Sequence, residues 1–211
     1  MRRRSTPAAA SRLVVATGNP GKLRELRALL AGLPFAVVGL REFGILAPEE
    51  TGTTLLANAL LKARHAAAAT GLAVVADDSG LEVDALGGAP GVYSARYAGP
   101  DADDAANNAK LIAALAGLPP AKRGARYRCV LAYLPALPGA APVIAEAVWR
   151  GSIVAEPRGA GGFGYDPLFL PSACSKTAAE LDPEVKNRVS HRGVALRRLR
   201  ERLERDAAGG A

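Results

Sequence analysis

The sequence predicts an α/β protein with a mixed β-sheet and flanking helices. Three observations carry this reading. Short apolar runs at 13–16 and 73–76 each break off into a polar turn, as buried strands do. Between them lie stretches with apolar residues at helical spacing. Further on, 126–134 and 143–149 alternate well enough to be paired strands.

Taken in order, the strand at 13–16 is followed at once by Thr17, Gly18, Asn19, Pro20 and Gly21, a turn composition. Residues 22–30 place Leu23, Leu26, Leu29 and Leu30 on one helical face. A second short strand is expected at 35–38. Residues 53–69 are rich in Ala and Leu without Gly or Pro, which predicts a long helix capped by Thr51 or Thr53. The strand at 73–76 is expected to end at Asp77, Asp78, Ser79 and Gly80, with a loop at 87–91. A helix over 101–115 carries acids in its first turn, where the helix dipole favours them. Residues 159–164 read as a flexible glycine-rich loop, and 190–205 as a last helix with an Arg-rich outer face.

A chain of 211 residues suits one domain and can bury roughly 70% of the surface its unfolded form exposes. Apolar residues at 49% and charged residues at 22% exclude a wholly disordered chain. Two cysteines exclude a disulfide scaffold and a four-cysteine zinc site, and both are expected to be reduced, inert thiols. The net charge of +7 invites a nucleic-acid reading, but its distribution argues against one. Residues 1–12 carry +4 and 192–211 carry +3, while 13–191 hold 17 bases and 17 acids. A groove for duplex DNA would run through the body, so the excess reads as solvated tails. The first residues resemble a secretory signal only superficially, because Arg12 interrupts the apolar stretch. No run approaches the ~20 apolar residues of a membrane helix, and cytoplasm is the expected compartment.

Several clusters bear chemistry. Thr17, Gly18, Asn19, Pro20, Gly21 and Lys22 form a strand–turn–helix junction. Its glycines allow close approach, and its free helix N–H groups and lysine suit an anion. It is not a Walker A loop, and a plain structural turn is the competing reading. Asp77 and Asp78, at the expected end of a buried strand, would repel each other unless a cation or proton intervened. A hard divalent ion suits them, although strand alternation lets only one face it. A structural cap is the alternative. Glu50, ahead of the long helix, can join the same ion or simply favour the helix start. In that helix Asn58 and Lys62 share a face, and His65 reads as a surface or packing histidine. Gly159, Gly161 and Gly164 match a dinucleotide fingerprint in the wrong context. Phe163 and Tyr165 on that glycine hinge can instead stack on a base. Lys186, Ser190, His191 and Arg192 supply chiefly donors, which suit keto oxygens and phosphates.

Six segments resemble, in order, the inosine/xanthosine triphosphate pyrophosphatases: ATGNPGKLREL, EETGTTLLANALLKARHAA, ADDSGLEVDALGGAPGVYSARYAG, GGFGYDPLF, KTAAEL and SHRGVAL. The likeness spans about 13–200. It implies a two-lobed mixed α/β fold around a central cleft, a homodimer, and Mg2+-dependent hydrolysis of ITP, dITP and XTP to the monophosphate and pyrophosphate. By position, Thr17 to Lys22 would bind the triphosphate. Glu50 and Asp78 would hold Mg2+, with Asp78 also the general base. Ser79, Phe163, Gly164, Tyr165, Asp166, Lys186, His191 and Arg192 would contact the nucleotide, chiefly its base. Residues 13–205 would form one catalytic domain, between a basic tail at 1–12, expected to be disordered, and a C-terminal tail at 206–211.

Two departures stand out. The family's Thr-Phe-x-Glu-Asn-Ala reads Thr54-Leu55-Leu56-Ala57-Asn58-Ala59 here, and the Arg-rich start exceeds the usual one by roughly nine residues. Ala57 removes a carboxylate near the expected metal, so either that group is not a required ligand or metal affinity is weakened. The alternatives are a Maf-type pyrophosphatase of different base preference, which SHRG and FGYD argue against, and a non-catalytic nucleotide- or nucleic-acid-binding protein. The pairing of Asp78 with Glu50 and the neutral body argue against the latter.

Overall fold

The computed structural model describes residues 11–209, with side chains described through Arg205. A six-stranded mixed sheet in the order β2-β1-β3-β4-β5-β6 forms the frame. β1 (Ser11–Ala16) lies parallel between β2 (Phe35–Gly39) and β3 (Ala73–Val83). Helix α1 (Pro20–Leu30) makes the β1–β2 crossover and α2 (Leu55–Thr70) the β2–β3 crossover. β3 then runs antiparallel to β4 (Gly124–Leu134), β4 to β5 (Val143–Ile153), and β5 to the short β6 (Phe169–Pro171).

Three apolar clusters fill the molecule. On one face of the sheet, Val15, Val75 and Leu131 meet Leu26 and Leu30 of α1 and Leu196 and Leu199 of α5 (His191–Gly209). On the other, Val14, Val74 and Val130 meet Ala59, Ala63 and Ala66 of α2. The alanines let that helix lie close to the strands. β3, β4 and β5 continue past the end of β1 into a second lobe. There Leu81, Tyr127, Trp149 and Phe169 pack on Leu111 and Leu115, at the C-terminal end of α3 (Asp104–Ala114).

This extension corrects the expected end of the third strand. Asp77, Asp78 and Ser79 lie inside β3, paired with Leu131, Val130 and Cys129 of β4. The apolar run stops at Ala76 because β1 stops there, at the Ala16–Ala76 pair. The aspartates occupy the step where β3 loses its parallel neighbour. Other boundaries shift by local chemistry. α1 begins at Pro20 because Asn19 caps it, and α2 is capped by Thr54 rather than Thr51 or Thr53. α3 starts three residues late behind its cap Asp103. The apolar pattern gave no sign of β6, three residues long, or of α4 (Pro183–Val189), seven residues capped by Asp182.

The expected tails differ at both margins. β1 starts at Ser11, and α5 extends to Gly209 across most of the supposed C-terminal tail. The expectation for residues 1–10 lies outside the described residues. The C-terminal arginines are not simply solvated. Arg197 donates to the Arg188 carbonyl, Arg198 to Glu146 and Arg202 to Ile144.

Candidate active site

A cavity of about 550 Å³ opens where β1 ends, between the sheet, α2, α3 and the start of α5. It brings together nearly every sequence-predicted site residue: Thr17, Gly18, Asn19, Pro20 and Lys22; Glu50, Asp78 and Ser79; Phe163, Gly164, Tyr165 and Asp166; Lys186, His191 and Arg192. Gly21 sits beneath the wall, where a Cβ would come within 2.6 Å of the Phe163 ring.

β alternation divides the two aspartates between two charge clusters. On the α2 face, Lys62 Nζ donates to Glu50 Oε1 and to Asp78 Oδ1, each at 2.7 Å. Asn58, one helical turn earlier, donates to Asp78 Oδ2 at 3.4 Å and accepts from the Gly52 amide at 2.8 Å. Arg96 reaches Glu50 Oε2 at 3.3 Å and its carbonyl at 3.1 Å. Burial pushes the Asp78 carboxyl above its ordinary range, and the nearby Glu50 charge adds to this against the pull of Lys22 and Lys62. Burial acts the same way on Glu50, but Lys62 and Lys22 outweigh it and hold that carboxyl below the usual range.

On the α5 face, Arg192 is fully buried. Its Nε donates to Asp77 Oδ2 at 2.9 Å, its Nη2 to Ser79 Oγ at 2.9 Å, and its Nη1 to Glu25. Lys186 donates to Glu25 Oε1 at 2.7 Å and to Asp166. Lys22 Nζ lies 2.8 Å from Asp77 Oδ1. Burial opposes the ionised form of Asp77, yet Arg192 and Lys22 hold its carboxyl well below the usual range. The buried Cys129 thiol donates to the same carboxylate and is pushed up by burial and by that charge. His191 stacks flat on Tyr127 at 4.6 Å between centroids, and its Nδ1 is buried without a partner. Burial and the neighbouring Arg192 charge drive its pKa well below the ordinary value, so the ring is neutral. Phe163 closes this end, 5.1 Å from Lys186 Nζ and 5.6 Å from Arg192 Cζ.

The turn 17–21 differs from its expected form. Pro20 has no N–H, and the Gly21 and Lys22 amides both donate to Asn19 Oδ1. The helix start therefore offers no free amide at these positions, and Lys22, ion-paired with Asp77, carries the attraction for an anion.

The donor set at Glu50 and Asp78 suits a hard divalent cation. Two carboxylates converge within reach of one ammonium, and Mg2+ typically takes one or two carboxylates together with substrate phosphates. Among the described residues no group of three or more His, Cys, Asp or Glu that could hold a metal ion converges. Ala57 lies in the first turn of α2 on its exposed side, unlike buried Asn58.

Sequence reasoning missed Glu25, Arg96 and Tyr127, and noted Lys62 without placing it in the site. Lys62 carried a signal, because it and Asn58 are polar at a four-residue spacing in an Ala/Leu-rich helix. Glu25 carried a fainter one, an acid one turn after Lys22 with no visible partner. Its partners, Lys186 and Arg192, are more than 160 residues away.

Residues 13–202 match the Ham1 family. A dITP/XTP pyrophosphatase of Yersinia pseudotuberculosis is 56% identical over 93% of this chain and 99% of its own length. One from Xanthomonas oryzae pv. oryzae is 56% identical over 90% and 96%. The solved HAM1 protein of Coxiella burnetii superposes with a TM-score of 0.82 at 46% identity, covering 92% of this chain and 99% of that one. With its sheet order, its cavity and these likenesses together, the chain belongs to the Ham1 family.

Proposed function

We propose that the chain hydrolyses the non-standard purine nucleoside triphosphates dITP, ITP and XTP to the monophosphate and pyrophosphate. The observation that carries the reading is one cavity with two chemically distinct ends. A carboxylate pair bridged by Lys62 lies at one end, and a stacked, neutral His191 beside Lys186 lies at the other. The dITP/XTP pyrophosphatases among the relatives support it.

In this reading water attacks the α-phosphorus, the α–β anhydride bond breaks and pyrophosphate leaves. Asp78 takes the proton of the attacking water. Mg2+ held by Glu50 and Asp78 would supply neutralisation of the phosphate charge. Lys22, released from Asp77, meets the triphosphate. Lys62 keeps the two carboxylates ionised and together. At the far end Phe163 stacks on the base. Lys186, two of whose donors go to Glu25 and Asp166, retains a third for a keto oxygen. A 6-amino group there would set donor against donor, which a buried polar site rejects strongly.

The resemblance also supports a homodimer, and the free Cys129 and Cys174 thiols fit a reducing cytoplasm. Pyrophosphate release from ITP, XTP, dITP, ATP and GTP, with and without Mg2+, tests the function. Release from the first three that far exceeds that from ATP, and that is lost without metal, is expected; GTP, which shares the 6-keto oxygen, shows whether the 2-position is read as well. No release from any of them would leave only a binding protein.

A further inference from the structure

Glu50 stands on a segment without regular structure, between the 3-10 turn Leu40–Phe43 and α2. Its position depends on what ties that segment down. Arg96 holds the Glu50 carbonyl from the second lobe, and His65 Nε2 lies 3.1 Å from the Leu46 carbonyl. Nearest to Glu50 in sequence on its other side, Gly52 donates its amide to Asn58 Oδ1 at 2.8 Å. The other half of the same amide group, Asn58 Nδ2, faces Asp78 Oδ2 at 3.4 Å. Asn58 is completely buried, on a helix whose neighbouring residues Ala59 and Ala63 are packed against the sheet. It is therefore a rigid part, with one end on the Glu50 segment and the other on the β3 carboxylate.

The fit is close. A Cβ on Gly52 would stand 2.5 Å from Asn58 Oδ1 and 2.9 Å from the Ala57 Cβ. The segment can approach the helix so nearly only because residue 52 is glycine. Lys62 joins the same carboxylates by charge, through a flexible stem. The short, planar Asn58 side chain fixes spacing instead.

We propose that Asn58 is a positioning residue that sets the separation and orientation of Glu50 and Asp78 as a two-carboxylate cation site. This inference rests on the reading that those carboxylates hold the metal. Groups that orient metal ligands from behind commonly change metal affinity or activity by about 10- to 100-fold when removed.

Binding of Mn2+, read by electron paramagnetic resonance in the protein alone and with an α,β-methylene analogue of ITP, provides the test. Asn58→Ala removes both bonds. Gly52→Ala pushes the segment off an intact Asn58 and remains informative if the core substitution fails to fold. Both are expected to weaken Mn2+ binding by about 10-fold or more. Both should lower kcat, with KM for ITP at saturating metal and the ITP/ATP preference little changed. Melting temperature is recorded alongside. Unchanged Mn2+ affinity in a folded variant, even one with a lower melting temperature, would overturn the proposal. Glu50→Gln and Asp78→Asn separate the two failures. If neither alters Mn2+ binding, the metal reading itself falls and the proposal with it. If they do and the Asn58 and Gly52 variants do not, only the positioning role falls.

Discussion

Glu25 shows how much of this site is decided by a group that lacks any motif-like character. Glu25 neutralises two buried cations, Lys186 and Arg192, which hold its carboxyl below the ordinary range despite burial. Removing one member of such a network leaves charges buried and unpaired. Glu25→Ala should therefore cost on the order of 3 kcal/mol of stability, read by denaturant unfolding. Because its folded pKa is lowered, the stabilisation is fully present above about pH 4.5. It fades as pH falls below that value, so the stability difference between the two proteins should shrink there. His191 has the same sign for a different reason. The folded protein keeps the ring neutral while the unfolded chain takes a proton below about pH 6.5. His191→Phe preserves the stack on Tyr127 and should remove part of the fall in melting temperature between pH 6.5 and 5. An unchanged slope would show that His191 charges freely in the folded state.

At the level of elements, short contacts between backbones set the site. Gly193 lies where a Cβ would stand 1.7 Å from the Asn187 carbonyl oxygen, so α4 and the first turn of α5 touch main chain to main chain. That contact places Lys186 beside His191 and Arg192. Gly193→Ala should force the helices apart, lower the melting temperature by several degrees, and reduce the preference for ITP over ATP more than the rate on saturating ATP. The start of α2 offers the opposite case. Thr54 accepts from the Ala57 amide, but no carboxylate at Ala57 returns the bond. Ala57→Glu should complete a capping box and raise stability by roughly 0.5 to 1 kcal/mol in thermal unfolding. If it also lowers the Mg2+ concentration needed for half-maximal rate, that carboxylate belongs to the metal site as well. The exposed edge of β5 is covered differently. Arg198 and Arg202 donate to its carbonyls, which accounts for part of the basic C-terminal sequence without any nucleic acid.

Across the whole molecule, the sheet was legible in the sequence where residues repeat with a period, and obscure where they do not. The apolar runs of β1 and β3 and the alternation of β4 and β5 announce themselves. Three-residue β6 and seven-residue α4 are too short for any period to show. Asp77 and Asp78 were legible as a pair whose side chains point to opposite faces of a strand, but the step of the sheet on which they stand was not. It depends on β1 stopping beside Ala76 while β4 carries β3 onward. Six of the site's cations and anions, Lys22, Glu25, Asp77, Asp166, Lys186 and Arg192, come from four distant parts of the chain and balance one another. No count of charge along the sequence could reveal that balance. The division of the cavity into a carboxylate end and a base-reading end is the account's central claim. It is tested most directly by the ratio of kcat/KM for ITP to that for ATP, measured in the native protein, Asp78→Asn and Lys186→Ala. The account predicts that Asp78→Asn lowers both rates by a similar large factor and leaves the ratio unchanged, whereas Lys186→Ala collapses the ratio. Full activity in Asp78→Asn, or an undiminished ratio in Lys186→Ala, would contradict it.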